Sequence, residues 1–513
     1  MTSPVRPLRK ERLRAALAGV TAALLGVGLS EFVAAVVEPG ASPFAVIGGQ
    51  LIDLAPSWAK DAAIALFGTG DKIALIVGIA LVLTVVAALA GVVELRRPSL
   101  GATILGALGA LALVAAMIRP GSGPFAWAPG LVAGTVAVIA VRMLVRRLRP
   151  TAGFDPADDD RRRFLVWTAG VAAVGVVALI AGNVARGATR SIEAVRTALR
   201  LPAARQPAAE VPAGAELDLP GLAPVVTSNE DFYRIDTALI VPRVDPADWS
   251  LRIHGMVERE VRLTWDELIA LPLRESHVTL ACVSNEVGGS LIGTALWLGY
   301  PVRDLLARAG VDADADMVLS TSTDGFTAST PLEALTDDRD ALLAIGMNGE
   351  PLPIEHGFPA RLVVPGLYGY VSATKWVTQL EVTRFDRASA YWTTRGWSER
   401  GPVKLQSRID VPRRGERIDA GDTVIAGMAW QQHVGIEGVE VRIDEGPWRR
   451  AELATAISSD TWVQWSLGWT AESGRHTIEC RAIGSDGTTQ TSEPAAPVPD
   501  GAQGWHRLEV TVA

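Results

Sequence analysis

Residues 277–289 read HVTLACVSNEVGG, and how this stretch is read decides the fold of the chain's second half. His277–Ala281 is a strand by its β-branched and apolar content. Val283-Ser284-Asn285-Glu286-Val287-Gly288-Gly289 is a polar, glycine-containing loop. Cys282 thus sits where a strand opens into a loop, a place that presents a side chain to a ligand. A lone thiol is most often merely buried, but a thiolate on such a loop suits a soft or high-valent metal. Neither CxxC nor HxxxH accompanies it, so the remaining coordination has to come from a cofactor.

Outward from the cysteine the pattern mixes α and β. Thr264 and Glu267 form a capping box that predicts a helix through Leu271, stopped by Pro272. Pro301, followed by Val302, Leu305 and Leu306 and closed by Gly310, predicts a second short helix. Strands at 361–365 and 376–383 complete an α+β domain over residues 225–403. Beyond 404 the period becomes two, in Val439, Val441 and Ile443, in Val463, Trp465, Leu467 and Trp469, and in Ile478, Cys480 and Ala482. Turn signals at Asp444-Glu445-Gly446 and Ser485-Asp486-Gly487 separate these runs. Residues 404–513 therefore read as one β-sandwich with Cys480 facing its core.

Ahead of the α+β domain, residues 201–224 are rich in Pro, Ala and Gly and read as an extended tether within a linker of 187–224. Residues 1–186 read as a membrane anchor, because the stretches 15–37, 73–93, 101–118, 126–143 and 164–185 each approach the roughly 20 apolar residues that a bilayer crossing needs. With the N-terminus inside, 14 basic residues between Arg6 and Arg163 fall on the cytoplasmic side, against Lys60, Lys72 and Arg119 outside. That bias puts residues 187–513 on the outer face of the cell membrane. The apolar stretch 45–68, interrupted by Asp53, Pro56, Lys60 and Asp61, reads as an amphipathic or re-entrant segment. Arg161-Arg162-Arg163 before the fifth span fits either a twin-arginine export signal or a plain cytoplasmic flank. All six histidines follow the last span, which leaves no imidazole pair for a membrane haem. Glu31, the main acid within a span, is a functional suspect only if it has a partner.

Charge divides along the same boundary. Residues 1–186 carry 18 Lys+Arg against 11 Asp+Glu, and residues 187–513 carry 30 against 45, for a net −8. An acidic second half excludes nucleic-acid binding, which needs clustered Lys and Arg. An apolar content of 49% excludes a disordered chain.

Across residues 225–513 the sequence resembles the sulfite oxidase family of molybdopterin enzymes, in a membrane-anchored bacterial form. NEDFYR (229–234), TLAC (279–282) with Asn285, MNGEPLP (347–353), HGFPARLVVPG (356–366) and SATKW (372–376) carry the resemblance. GMAW (427–430), residues 439–448 and WHR (505–507) extend it into the C-terminal domain. The resemblance implies a molybdenum–molybdopterin cofactor with Cys282 as the protein's metal ligand, never a nucleophile. It implies Arg361, Ser372 and Lys375 on the pterin and phosphate, with Tyr233, Arg234, Asn285, Thr321 and His356 as further contacts. It also implies two-electron oxygen-atom transfer to or from a small molecule, and an external electron-transfer partner, either a cytochrome or quinone-linked. The C-terminal domain would be immunoglobulin-like, of the kind that forms homodimers.

The chain departs from the family's pattern where the substrate would sit. Ile345, in LLAIG (342–346), stands in place of the tyrosine beside the metal, Glu286 and Val287 replace arginines after the cysteine loop, and five spans stand in place of a haem domain. A small dianion needs fixed positive charge around it. An uncharged or weakly charged substrate such as a sulfoxide is therefore expected over sulfite, with Arg395 and Trp397 at the entrance. Sulfite oxidation itself is the alternative within this class. Outside it stand a cofactor-free surface receptor and a transporter, the latter disfavoured by spans without polar breaks.

Overall fold

The computed structural model describes residues 9–37, 39–55, 66, 71–119, 123–148, 158–188, 192–239 and 241–513. The chain divides into two compact units, residues 1–191 with 238–240, and residues 192–237 with 241–513.

The first unit is helical, with α1 (Arg9–Val37), α2 (Pro43–Leu54), α3 (Asp71–Arg96), α4 (Leu100–Met117), α5 (Trp127–Arg146) and α6 (Asp158–Ala188). All but α2 are long and apolar enough to cross a membrane, and they fall on the five stretches expected from hydropathy. Glycines let these helices approach to backbone contact. A Cβ on Gly19 of α1 would lie 1.9 Å from the Ala87 carbonyl oxygen, and one on Gly91 of α3 would lie 1.9 Å from that of Ala15. Either side chain would force the two helices apart. The 12-residue α2 covers the start of the segment 45–68, of which residues 56–65, 67 and 68 lie outside the described residues. Glu31 does have a partner. Its carboxylate accepts from Ser42 Oγ at 2.8 and 3.0 Å, and Ser42 caps α2 through the Ala45 amide, so the acid anchors a helix start. Glu94 acts similarly, accepting from the Ser99 and Ala102 amides at the start of α4.

The second unit begins with α7 (Ile192–Ala198). Its α+β domain contains β1 (Ser250–Gly255), β2 (Val261–Thr264), α8 (Trp265–Ile269), β3 (Arg274–Ala281), β4 (Ile292–Pro301), α9 (Val302–Ala309), β5 (Met317–Ser322) and β6 (Thr327–Pro331). It continues with α10 (Glu333–Thr336), β7 (Leu342–Met347), β8 (Glu350–Pro351), β9 (Arg361–Val363), α11 (Gly369–Ser372) and β10 (Val377–Thr383). One sheet has the order β2-β1-β10-β5-β6, and the other β3-β4-β7-β8 with β9 against β7. β4 and β7 are buried along nearly their whole length, which is why their sequences are continuous apolar runs.

Both expected helices are present. Thr264 and Glu267 make the full capping box of α8, but the helix ends at Ile269 rather than Leu271. Leu271 precedes Pro272, whose ring crowds a helical backbone at the residue before it. Gly310 closes α9 at φ +70. β9 spans three residues instead of five, because Pro365 has no amide to donate and Gly366 turns the chain at φ +81.

The remainder is a two-sheet sandwich of β11 (Gln406–Val411), β12 (Arg417–Ile418), β13 (Gly421–Trp430), β14 (Ile436–Ile443), β15 (Arg449–Arg450), β16 (Glu452–Leu453), β17 (Val463–Ala471), β18 (Gly474–Gly484) and β19 (His506–Val512). Its sheets run β11-β13-β17-β16 and β12-β19-β18-β14-β15. The alternating residues Val439 and Val441, Trp465, Leu467 and Trp469, and Ile478, Cys480 and Ala482 fill the space between them. Met428, Trp430 and Trp462 join the core of the α+β domain instead, so the two domains share apolar packing.

Residues 201–224 are extended, as a tether would be, yet bound along their length. The Arg205 amide donates to the Leu273 carbonyl (2.7 Å) and the Ala208 amide to the Glu275 carboxylate (3.3 Å). Further on, the Leu217 amide donates to Gln464 Oε1 (2.7 Å), and Gln464 Nε2 to Glu216 (2.6 Å). The segment is a strap over the second unit, a property that its Pro, Ala and Gly content conceals because the partners lie far along the chain.

Candidate active site

Strand β3 delivers Cys282, and the loop after it is closed by its own hydrogen bonds. The Cys282 amide donates to the Leu291 carbonyl (2.9 Å), the Asn285 amide to the Cys282 carbonyl (3.1 Å), and the Leu291 amide to Asn285 Oδ1 (2.8 Å). Asn285 therefore shapes the loop. Cys282 is 8% exposed and lines a cavity of about 130 Å³. Burial pushes its thiol up, while hydrogen bonds with Ser284 and the charge of Lys375 pull it down.

Two buried cations line the same cavity. Arg361, at the start of β9, donates through Nη1 to the His356 carbonyl (3.1 Å) and lies 5.0 Å from the centre of the Trp297 ring. Burial lowers it to about 10, with Tyr233 acting the other way. Lys375 donates to the Glu355 carbonyl (2.8 Å) and to Asp236 (3.3 Å). Burial, opposed by Asp236 and assisted by Arg361, lowers it to about 8. Both values fall because the region is shielded from water and carries too little negative charge to offset two cations. Trp376 takes a left-handed backbone at φ +51, unusual for a bulky residue. Its indole is tied to the Ile354 carbonyl (3.0 Å), and this turn holds Lys375 against the cavity.

His356 is buried, and among the described residues its Nδ1 has no hydrogen-bond partner. Burial, followed by the charges of Lys375 and Arg361, lowers it to about 3, so the ring is neutral at neutral pH. Tyr233 stacks on Phe232 at 5.2 Å and is pushed up by burial, then by Cys282.

Of the expected residues, Tyr233, Cys282, Arg361 and Lys375 meet on one cavity, and His356 packs edge-on against Phe232 at 5.5 Å beside them. Others stand back from it. Arg234 pairs with Asp236 (3.1 Å), and Ser372 of α11 is fully buried and donates to the Tyr368 carbonyl (2.9 Å). Thr321 lies in β5 opposite Gln379, next to the cavity-lining Ser322. Ile345 belongs to the core. Trp397 lines the cavity, whereas Arg395 stacks on Tyr391 at 3.6 Å. Sequence reasoning misses Asp236, Ser284, Asp324, Phe326, Tyr370 and Trp392, all of which line the cavity. Asp236 lies two residues from Arg234 and Ser284 lies between Cys282 and Asn285, a signal that could have found them. The aromatic wall comes together only through the fold.

Chemically, the site offers a soft donor, two under-neutralised cations and a neutral imidazole nitrogen. Its excess positive charge fits an anionic group, and its single thiol fits a metal that arrives with its other ligands.

A family model described as the oxidoreductase molybdopterin binding domain matches residues 238–392. The mitochondrial sulfite oxidase of Homo sapiens is 30% identical over 341 residues, 56% of this chain and 62% of that protein. The uncharacterized oxidoreductase YuiH of Bacillus subtilis is 34% identical over 157 residues, 31% of this chain and 76% of its own length. Among solved structures, the sulfane dehydrogenase SoxCD from Paracoccus pantotrophus aligns at 24% identity and a TM-score of 0.48, covering 58% of this chain and 85% of that one. The chain spans 62% of the length of the mammalian relatives that it matches.

Proposed function

We propose a specific role for this chain, which belongs to the sulfite oxidase family of molybdopterin-dependent oxidoreductases: oxygen-atom transfer on an uncharged or weakly charged substrate, carried out by a membrane-anchored enzyme outside the cytoplasm. The observation that carries this reading is the meeting of a buried thiol with two under-neutralised cations on one cavity. When bound, the molybdenum–molybdopterin cofactor supplies two-electron oxygen-atom transfer. The chain's own part is to hold it. Cys282 serves as the thiolate ligand, since a metal cation at Sγ offsets the burial that otherwise keeps the thiol protonated. Arg361 and Lys375 bind the anionic tail through charge-assisted hydrogen bonds, and the neutral His356 offers its ring to the pterin. Tyr233, Arg234, Asn285, Thr321 and Ser372 complete or support the cradle.

Substrate selection falls to Phe326, Tyr370, Trp392 and Trp397, an apolar wall that suits the sulfur of a thioether or sulfoxide. Asp324 on the same lining disfavours a dianion. Electrons pass to or from an external cytochrome or quinone-linked carrier, and the C-terminal sandwich, read as immunoglobulin-like, serves homodimer formation. Purified full-length protein is expected to contain near-stoichiometric molybdenum and pterin, and to turn over a methyl sulfoxide, with reduced viologen as donor, faster than it oxidises sulfite. Neither metal nor pterin, in protein from cells that load other molybdoenzymes, would sink the reading. Preference for sulfite would move it to sulfite dehydrogenation.

The five apolar helices are compatible with a membrane anchor, and the basic bias of their cytoplasmic flanks supports an outer location for residues 187–513. Export of an already folded domain through the twin-arginine route is tested by changing Arg161 and Arg162 together to Lys. The second unit is then expected to stay inside while the first four spans insert, as read by protease accessibility in spheroplasts. Normal surface exposure would leave those arginines as a simple flank.

A further inference from the structure

The far side of the cysteine loop rests on the C-terminal sandwich. Arg408 of β11 donates from Nη1 to the Gly289 carbonyl (2.8 Å), while its Nε and Nη2 hold Asp410 at 2.6 and 3.2 Å. Arg408 is 8% exposed, and its guanidinium lies 5.7 Å from the centre of the Trp462 ring. Beside it, His506 of β19 accepts the Ile409 amide at Nδ1 (3.0 Å), which leaves the proton of the neutral ring on Nε2. That ring fills the space over Gly288. A Cβ at position 288, where φ is +78, would come within 2.3 Å of Nε2.

The strand that enters the cysteine is held from the same side. Gln432 Nε2 donates to the Thr279 carbonyl (3.1 Å), the Trp462 amide to Thr279 Oγ1 (2.8 Å), and the Thr279 amide to the Asp460 carbonyl (2.9 Å). Sandwich residues thus fix the chain both before and after position 282, and Asn285 bridges the interval. A polar loop with two consecutive glycines has wide conformational freedom, and a ligand-bearing loop has to be held by its supporting contacts to keep its geometry.

We infer that the sandwich positions the Cys282 loop for its ligand, with Arg408 as the positioning residue that couples the two domains. The inference rests on Cys282 being the metal ligand. The sandwich then does more than present a surface to a second copy, because the ligand's orientation depends on it.

The test uses full-length protein from cells that lack the pterin cofactor. Cys282 is alkylated with iodoacetamide and followed by peptide mass spectrometry, with the core thiol Cys480 as internal reference. Arg408→Lys keeps a cation beside Asp410 but cannot span both Asp410 and the Gly289 carbonyl. Losing that one charge-assisted bond is expected to speed Cys282 alkylation by about tenfold and leave Cys480 unchanged. His506→Ala removes the ring behind Gly288 and the acceptor of the Ile409 amide while leaving both side chains of the Arg408–Asp410 pair in place, and serves as the second variant should Arg408→Lys fail to fold. It is expected to give the same selective rise, about threefold. Both thiols speeding together would mean general loosening, and an unchanged Cys282 would mean an uncoupled loop. Either result overturns the inference. Molybdenum content of the parent protein reports on the proposed function separately, so failure of one is not mistaken for failure of the other.

Discussion

Changing Cys282 to Ser is expected to cost at least on the order of 10³-fold in oxygen-atom transfer, well beyond the roughly tenfold to hundredfold typical of outer-shell partners of a metal. Serine offers a hard hydroxyl that does not ionise at neutral pH, where the site is built to give a soft thiolate. No other thiol can substitute. Cys480 is fully buried between the sandwich sheets, where its sulfur accepts from Ser407 Oγ at 3.2 Å. The fold should survive, since exchanging sulfur for oxygen beside Ser284 costs about 1 kcal/mol, within the usual range for single substitutions. Turnover with reduced viologen, molybdenum by mass spectrometry and a thermal melt separate these effects. A folded Cys282→Ser protein with near-parent turnover would refute the ligand assignment.

The second large effect is expected at Lys375. Replacement by Met should weaken retention of the anionic cofactor by about 30- to 1,000-fold, the loss expected when one partner of a buried charge pair is truncated at about 2–4 kcal/mol. The same change should alter the stability of the cofactor-free protein in a pH-dependent way. Lys375 falls from its ordinary 10.5 to about 8 in the fold, so between those values the unfolded chain binds the extra proton. Stability of the parent therefore rises as pH climbs from about 8 to 10.5, by on the order of 3 kcal/mol in full. In Lys375→Met this contribution to the rise should vanish. Denaturant melts at pH 7.5 and 10 measure it, and pterin fluorescence after gel filtration measures retention. Undiminished retention in the Met variant would remove Lys375 from the cradle.

Much of this architecture is legible in residue order, and what is not has a physical cause. The helix starting at Thr264, the stop at Gly310 and the inward face of Ile478, Cys480 and Ala482 depend on neighbours within a few residues, so local pattern suffices for them. The transition from β3 into the Cys282 loop is readable for the same reason. Asp236 is not, because its meaning as the counter-ion of Lys375 arises from contact across 139 positions. Of the aromatic wall, Trp397 is expected at the entrance and found on the lining, whereas Tyr370 and Trp392 are invisible to spacing, since aromatic residues in order look like core. Arg361 and Lys375, taken singly, read as ordinary charges; the family resemblance alone assigns them to the cofactor, and their burial, which lowers both, arises only in the fold.

The strap over residues 201–224 sets an order of events during synthesis. Leu217 is tied to Gln464, a residue made 247 positions later, and Glu216 is tied to it across 248. The strap's later part, around Glu216 and Leu217, therefore cannot settle until β17 has been made, whereas Arg205 and Ala208 find Leu273 and Glu275 much earlier. A ribosome that stalls before residue 464 leaves that later part loose, and a chain released after it closes the strap as one of its last acts. The strap is thus a progress mark along the chain, seated in full only once synthesis has passed β17.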